Sequence, residues 1–133
     1  MKKICYVDED GRFGGPQQRM MLVASELCKL GIKIDFVIPA QEVEVFRKKL
    51  DECKLNYFQL NINRLSLKPI FFFKYIFFFF YEIFILTSFF RKKKYDIIQA
   101  NSTPQFKAII ASIILKKESV WVIEDSYFPA IIV

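Results

Sequence analysis

Histidine is absent from the 133 residues, and glycine occurs only four times. Without histidine, the chain cannot supply a histidine-based catalytic triad. Its three cysteines, Cys5, Cys28 and Cys53, are widely spaced and form no C-x-x-C pair, so the pattern indicates neither a zinc site nor a disulfide framework. We therefore predict no metal site. Cys5 and Cys28 fall on apolar faces, and we expect both to be reduced core residues.

Hydrophobic residues, in contrast, make up 53% of the sequence, and aromatic residues 17%. The net charge is +6, and its densest cluster is the basic run Arg91, Lys92, Lys93 and Lys94. Such a run is typical of a solvated helix end or of a surface that attracts an anionic membrane. Because no basic stripe interleaved with exposed aromatic residues occurs elsewhere, we predict no nucleic-acid partner.

Three of the four glycines, Gly11, Gly14 and Gly15, fall within residues 8–18. A strand-like apolar run precedes this stretch at residues 3–7. Apolar residues at helical spacing follow it as far as Gly31. A strand, a glycine-bearing turn and a helix form the first half of a βαβ unit, in which ligands bind beyond the strand and against the helix N-terminus.

Strand-like and helical runs alternate along the rest of the chain. We predict further strands at residues 33–38, 56–60, 96–100 and 119–123, and helices at residues 42–54 and 105–115. The second of these helices is predicted to turn five apolar residues inward: Phe106, Ile109, Ile110, Ile113 and Ile114. This order predicts an α/β fold, with a Rossmann-like parallel sheet flanked by helices and right-handed crossovers. Residues 1–133 form one predicted domain, which we expect to be incomplete at its C-terminus because the chain ends in an apolar run.

Ten of the sixteen phenylalanines lie between Ile70 and Phe90, a length that matches a bilayer span. Lys74 and Glu82 oppose spanning, since a charged residue near the centre of a transmembrane helix costs about 2.5–3.5 kcal/mol. A fully buried helix and a true span stay open as alternatives. We favour a membrane-associating segment over residues 70–94, lying in the membrane interface. Its predicted contacts are Phe77, Phe80, Phe84, Arg91, Lys92, Lys93 and Lys94, which implies a cytoplasmic protein peripheral at the inner face of the cell membrane.

The acidic trio Asp8, Glu9 and Asp10 is similar to the magnesium-binding cluster of receiver domains. A receiver also needs an aspartate after the third strand, where this chain has Asn61, and a lysine after the fifth, where it has Glu124. The glycine stretch matches neither G-x-G-x-x-G nor a P-loop. A degenerate receiver therefore stays only as a lesser alternative.

Several motifs in order resemble the N-terminal domain of GT-B glycosyltransferases of the family 4 type. Gly14-Gly15 precedes a helix that ends at Leu30-Gly31, without the histidine that commonly follows in the family. Tyr95-Asp-Ile-Ile-Gln-Ala-Asn-Ser102 resembles the family's x-D-I-I-H-x-(H/N)-S, with Gln99 in the first histidine position. Val122-Ile-Glu-Asp-Ser-Tyr-Phe-Pro129 is similar to H-(D/N)-x-Y-x-P. The resemblance covers essentially the whole chain.

The resemblance implies an acceptor-side domain of an enzyme that transfers a sugar from a nucleotide-sugar donor, in envelope polysaccharide or glycolipid synthesis. It implies partners in the sugar acceptor, the nucleotide-sugar and a missing C-terminal domain, no cofactor beyond the donor substrate, and no activity for this chain alone. The implied substrate-binding residues are Gly14, Gly15, Asn101, Ser102, Glu124 and Asp125. No catalytic residue is assigned, although Asp125 is the candidate. The alternative function is a non-catalytic, membrane-associated α/β binding module.

Overall fold

The structure, a computed structural model, describes residues 2–63, 68–101 and 106–122, with the side chain of Phe71 left out. Five parallel strands form one sheet: β1 (Lys3–Val7), β2 (Lys33–Pro39), β3 (Asn56–Leu60), β4 (Ile97–Asn101) and β5 (Glu118–Val122). Five helices connect them: α1 (Gly15–Lys29), α2 (Glu44–Glu52), α3 (Pro69–Phe77), α4 (Phe79–Lys93) and α5 (Phe106–Ile114). The strand order is β3-β2-β1-β4-β5, and the predicted α/β fold is confirmed.

Helices cover both faces of the sheet. Since successive side chains of a strand point to opposite sides, each strand contributes residues to both cores. On β1, Cys5 and Val7 belong to a core cluster with Leu86 and Phe90 of α4. Tyr6, between them, belongs to a second cluster formed with residues of α1 and α2. Burial on both faces explains why the strands are continuous apolar runs and do not alternate with polar residues.

The strand order excludes the receiver interpretation. Receiver-type sheets have the order 2-1-3-4-5, with the third strand beside the first. Here β1 lies between β2 and β4, and β3 is the edge strand beyond β2. The degenerate-receiver alternative is therefore wrong.

The phenylalanine-rich segment is two helices and not one. Pro69 stands in the first turn of α3, and α3 ends at Phe77. Phe78 separates it from α4 and serves as the residue before the first turn of that helix. Of the helices in residues 2–63, 68–101 and 106–122, none is both long enough and apolar enough to cross a bilayer.

The inward face of α5 differs from the predicted one. Of the five residues predicted to face inward, Ile109 and Ile110 are half-buried and Phe106, Ile113 and Ile114 are exposed. The buried residues are Lys107, Ala108, Ala111 and Ser112. The physical reason is close packing: α5 lies against both α4 and β4, and small side chains allow the backbones to approach. Helical spacing alone favoured the larger apolar residues, and the prediction was wrong for Phe106, Ile113 and Ile114.

The prediction for Cys28 was also wrong. Cys5 is buried as expected, but Cys28 is exposed near the end of α1. The buried face of α1 consists of Gln17, Met20, Met21 and Ala24, all in its first ten residues. In the last turn of α1, Leu27 still packs against the second core cluster, whereas Cys28 points to solvent.

Candidate functional site

The carboxyl ends of β1 and β4 lie side by side at the point where the order of the strands reverses. Val7 of β1 pairs with Ala100 of β4, so the next residues, Asp8 and Asn101, are neighbours at the same edge. The chain leaves β1 towards β2 and leaves β4 towards β5, on opposite sides. In open α/β sheets, ligands bind in the crevice that such a reversal creates. We call this position the switch-point crevice.

Gly14 and Gly15 form the start of α1 beside this crevice. Gly14 precedes the first turn in an extended conformation, makes no side-chain cap, and is followed by no acidic residue in the first turn. The backbone N–H groups of this turn therefore point outward with the positive end of the helix dipole. A Cβ atom at Gly15 would meet nothing within 4 Å. Neither packing nor backbone geometry requires glycine here, and the open space suits a close approach by an anionic group.

A buried hydrogen bond fixes α1 to the end of β1. The Gln17 side-chain amide donates to one carboxylate oxygen of Asp8 at 2.9 Å. The backbone N–H of Asp10 donates to the other at 2.9 Å. Both carboxylate oxygens of Asp8 thus help to hold the glycine turn in place. Glu9, the next residue, lies on the opposite face of the sheet. In the described part of the chain, no group of three carboxylate or thiol side chains could hold a metal ion.

Asn101, at the end of β4, lines a cavity of about 270 Å³ together with Arg19 and Met20 of α1. Its side chain is buried, and its Oδ1 accepts a hydrogen bond from the Gln99 amide at 3.1 Å. Its Nδ2 has no hydrogen-bond partner within residues 2–63, 68–101 and 106–122. The structure therefore brings Asn101 and α1 to one cavity. Ser102, Glu124 and Asp125 lie outside the described residues.

A larger cavity of about 430 Å³, which we call the edge pocket, lies at the other half of the same sheet edge. One wall comes from the segments that follow β1, β2 and β3, and the other comes from α3, α4 and the residue between them. Its polar lining includes Glu9, Gln41, Glu42, Asn61, Asn63, Lys74 and Tyr81. The volume lies within the range of about 300–1,000 Å³ that is usual for ligand pockets. The sequence did not predict this pocket.

Lys107 of α5 is fully buried behind the edge pocket and joins three other parts of the chain. Its Nζ lies 3.1 Å from Oε2 of Glu82 on α4 and 3.6 Å from Oε1 of Glu9 after β1. It also donates to the backbone carbonyl of Asn63 at 2.8 Å. Glu82 in turn accepts from the backbone and side-chain N–H groups of Asn63. We call Glu9, Glu82 and Lys107 the buried charge cluster.

Burial dominates the titration of the two carboxyl groups in this cluster. Desolvation raises the pKa of Glu9 to about 8, against the opposing effect of Lys107 and with a further increase from Glu82. Desolvation also raises the pKa of Glu82, although Lys107 and Asn63 favour its ionised form. Lys107 therefore faces two carboxyl groups. Glu82 is fully engaged by Lys107 and Asn63, and Glu9 holds its proton more tightly than usual. At neutral pH, Glu9 can both donate and accept a hydrogen bond.

Sequence reasoning missed Lys107 and gave Glu9 and Glu82 other roles. The available signal for Lys107 was a lysine between Phe106 and Ala108, the one charged residue in the run Phe106–Ile114. Glu9 was grouped with its acidic neighbours, although alternate strand residues face opposite sides. Glu82 was used only as an argument against a membrane span.

An exposed aromatic face covers the outside of α3 and α4. Phe77 and Phe80 are each 81% exposed, and Phe84 is 68% exposed; these three residues define the face. Arg91 lies on the same side of α4 as Phe80 and Phe84, because seven and eleven residues are close to whole numbers of helical turns. Lys93 is engaged elsewhere, with its Nζ 4.4 Å from the ring centre of Phe58. Arg91, Lys92 and Lys94 are exposed.

Solved structures share this fold with the chain. MurG of Acinetobacter baumannii matches with a TM-score of 0.68 and 13% identity over 91% of this chain and 34% of its own. A glycosyltransferase from Rickettsia africae matches with a TM-score of 0.69 and 18% identity over 97% and 31%. MnaA of S. aureus, solved with UDP, matches with a TM-score of 0.67 and 16% identity over 92% and 31%.

The fold is one found in glycosyltransferases. At these identities the likeness concerns the fold alone. The chain spans about a third of the length of each of these three proteins. No protein-family model and no curated protein matches the sequence.

Proposed function

We propose that this chain is the acceptor-side domain of a glycosyltransferase that takes a sugar from a nucleotide-sugar donor. The observation that carries the proposal is the match of nearly the whole chain to about a third of larger proteins, among them a glycosyltransferase and a UDP-bound structure. The family 4 motifs quoted from the sequence support the same assignment. In this proposal the rest of the enzyme, including a domain that holds most of the nucleotide, lies outside residues 1–133.

The proposed roles follow from the switch-point crevice. The open N-terminal turn of α1 at Gly14 and Gly15 meets an anionic or hydroxyl group of the substrate through backbone N–H groups. Asn101 offers a buried amide donor at the neighbouring strand. Ser102, Glu124 and Asp125 are proposed to complete the site from the loops after β4 and β5, with Asp125 as the candidate nearest the acceptor. The nucleotide-sugar is a substrate, and no further cofactor is proposed.

Nucleotide-sugar binding is tested by titrating UDP- and GDP-sugars into the ¹⁵N-labelled chain. We expect weak binding with shifts at the Gly14, Gly15 and Asn101 amides, and reduced shifts in Gly15→Ala, whose methyl group would occupy the open space. Transfer activity is expected only when the second domain is supplied, on the same polypeptide or by a separate one. No shifts at these amides, together with no transfer by the two-domain assembly, would overturn the proposal.

We also propose that the aromatic face binds the surface of an anionic membrane, so that the protein is peripheral at the inner face of the cell membrane and acts on envelope polysaccharide or glycolipid acceptors. Three phenylalanines in solvent and an arginine on the same side of α4 support this, because interfacial helices combine an apolar face with basic residues. The same feature would serve a non-catalytic binding module, which stays as the second candidate function.

Vesicle flotation tests membrane binding. We expect the chain to float with vesicles containing phosphatidylglycerol and to be released by Phe80→Ser/Phe84→Ser or by neutralising residues 91–94. The matched control is Val45→Ser, an exposed apolar residue on α2, which should float normally. Equal flotation of all variants, or none for the unaltered chain, would reject the membrane proposal. Sugar transfer without membrane binding would leave the enzymatic proposal intact.

A further inference from the structure

The edge pocket is separate from the switch-point crevice and shares none of the substrate-binding residues predicted from sequence. It lies beyond β1, β2 and β3, whereas the crevice lies between β1 and β4. Its lining combines side-chain amides at Gln41, Asn61 and Asn63 with aromatic rings at Phe78 and Tyr81. Amides both donate and accept hydrogen bonds, and aromatic rings present a flat apolar surface.

The charge of the lining discriminates between ligand classes. Glu42 and Lys74 contribute one acidic and one basic side chain to the described lining, whereas the carboxyl oxygens of Glu9 are buried and one lies 3.6 Å from Lys107 Nζ. A phosphate would be held next to the Glu42 carboxyl group without a surplus of positive charge, which is unfavourable. A neutral ligand rich in hydroxyl groups has no such cost and matches each amide and carboxyl oxygen with a donor or an acceptor.

The buried charge cluster makes the floor of the pocket rigid. Lys107 and Glu82 hold Asn63 through its carbonyl, its backbone N–H and its side-chain amide. Lys107 also lies 4.2 Å from the ring centre of Tyr75 on α3. The Glu9 carboxyl group is buried beneath the floor, next to the same lysine. Pocket groups held in this way are preorganised for a ligand.

We propose that the edge pocket binds a neutral, polyhydroxylated group, a sugar ring of the acceptor, through Asn61 and Asn63, with Tyr81 packing on the apolar side of the ring. This inference rests on the proposed function, since it identifies the acceptor that the transferase recognises. Binding itself needs neither the donor nor the second domain, so it is measured on the chain alone.

The probes are methyl glycosides of glucose, galactose, mannose, N-acetylglucosamine and rhamnose, with inorganic phosphate as the anionic comparison. In ¹⁵N titrations, at least one glycoside should shift the Asn61 and Asn63 amides, and phosphate should not. Asn61→Ala and Tyr81→Ala should each weaken that binding about fivefold, as expected for the loss of one hydrogen bond or ring contact.

Matched controls separate binding from folding. Gln59→Ala changes an exposed amide on β3 that is outside the pocket, and Phe73→Ala changes an exposed ring on α3 that is also outside it. Both variants should bind like the unaltered chain. Urea midpoints report whether each variant is folded. Shifts from phosphate alone, no shift from any glycoside, or equal losses in the controls would overturn the inference. Nucleotide-sugar binding at Gly14 and Gly15 without glycoside binding would refute only this inference. Glycoside binding without sugar transfer by the two-domain assembly would refute only the proposed transferase function.

Discussion

The Gln17 side-chain amide donates to the Asp8 carboxylate at 2.9 Å, and this buried bond joins the first turn of α1 to the end of β1. Asp8 also accepts from the Asp10 backbone. The orientation of the glycine turn therefore depends on one carboxylate that does not itself line either cavity.

Replacing Asp8 should destabilise the fold. Asp8→Ala removes both acceptors and leaves the Gln17 amide buried without that partner, for which we expect a free energy of unfolding lower by about 1–3 kcal/mol. Urea denaturation measures the change. Arg12→Ala is the control, because it removes an exposed ion pair with Asp10 and should cost less than about 1 kcal/mol. Equal losses in the two variants would contradict the role of Asp8.

Gly11 and Gly15 should respond oppositely to alanine. A Cβ at Gly11 would lie 2.2 Å from Val43 Cγ1 and 2.9 Å from the Glu42 carbonyl oxygen, so Gly11→Ala should cost about 1–3 kcal/mol through overpacking. Gly15→Ala has open space in the first turn of α1 and should be neutral or stabilise by up to about 1 kcal/mol. Thermal unfolding distinguishes them. A destabilised Gly15→Ala would show that the start of α1 packs differently.

Removal of Lys107 should be among the most damaging single changes. Lys107→Met leaves Glu82 buried without its cation, for which we expect a loss of about 3–5 kcal/mol in urea denaturation. The double variant Lys107→Met/Glu82→Gln removes the uncompensated charge and should recover a substantial part of that loss. A double variant as unstable as the sum of the single changes would mean that the ion pair is not coupled.

Glu9 should make stability fall as the pH rises. Its pKa in the folded chain is raised to about 8 from an ordinary value of 4.5, so the folded state holds a proton that the unfolded state has lost. This contribution is complete below about pH 4.5 and is lost as the pH rises to about 8, by at most about 5 kcal/mol.

Comparison with Glu9→Gln isolates this effect, because Glu82, Lys107 and Asp8, the charged groups that act on Glu9, stay in place. Urea denaturation between pH 5 and 8.5 should give a steeper decline for the unaltered chain than for the variant. Parallel profiles would show that Glu9 titrates normally.

The sequence predicted the fold well because strand and helix periodicities differ and the elements alternate. It failed where the burial of a residue depends on how closely a neighbouring helix packs and not on the hydrophobicity of that residue. Ala108 and Ala111 are buried on α5 because small side chains let α5 approach α4, and the larger isoleucines at 113 and 114 are left in solvent. The spacing of apolar residues shows which side of a helix is hydrophobic. It contains no information on how closely two helices approach.

The site was predictable only in part. A glycine turn after the first strand indicates an edge site in any sheet of this class, and the structure does place Gly14, Gly15 and Asn101 at that edge. The edge pocket was not predictable, since Glu9, Asn61, Lys74 and Tyr81 are far apart in sequence and meet only through the strand order. The apolar run around Lys107 indicates burial, but it does not show that Glu9 and Glu82 are its partners.

The buried charge cluster also bears on how the chain folds. Its members come from the end of β1, from α4 and from α5, and Asn63 from a fourth segment after β3 contributes its remaining hydrogen bonds. Any partly assembled state that buries Glu82 before α5 has docked would hold a carboxylate without its cation, at a cost of several kcal/mol. Partial structures are therefore penalised more than the complete one, and the cluster favours all-or-none assembly of the two halves of the sheet.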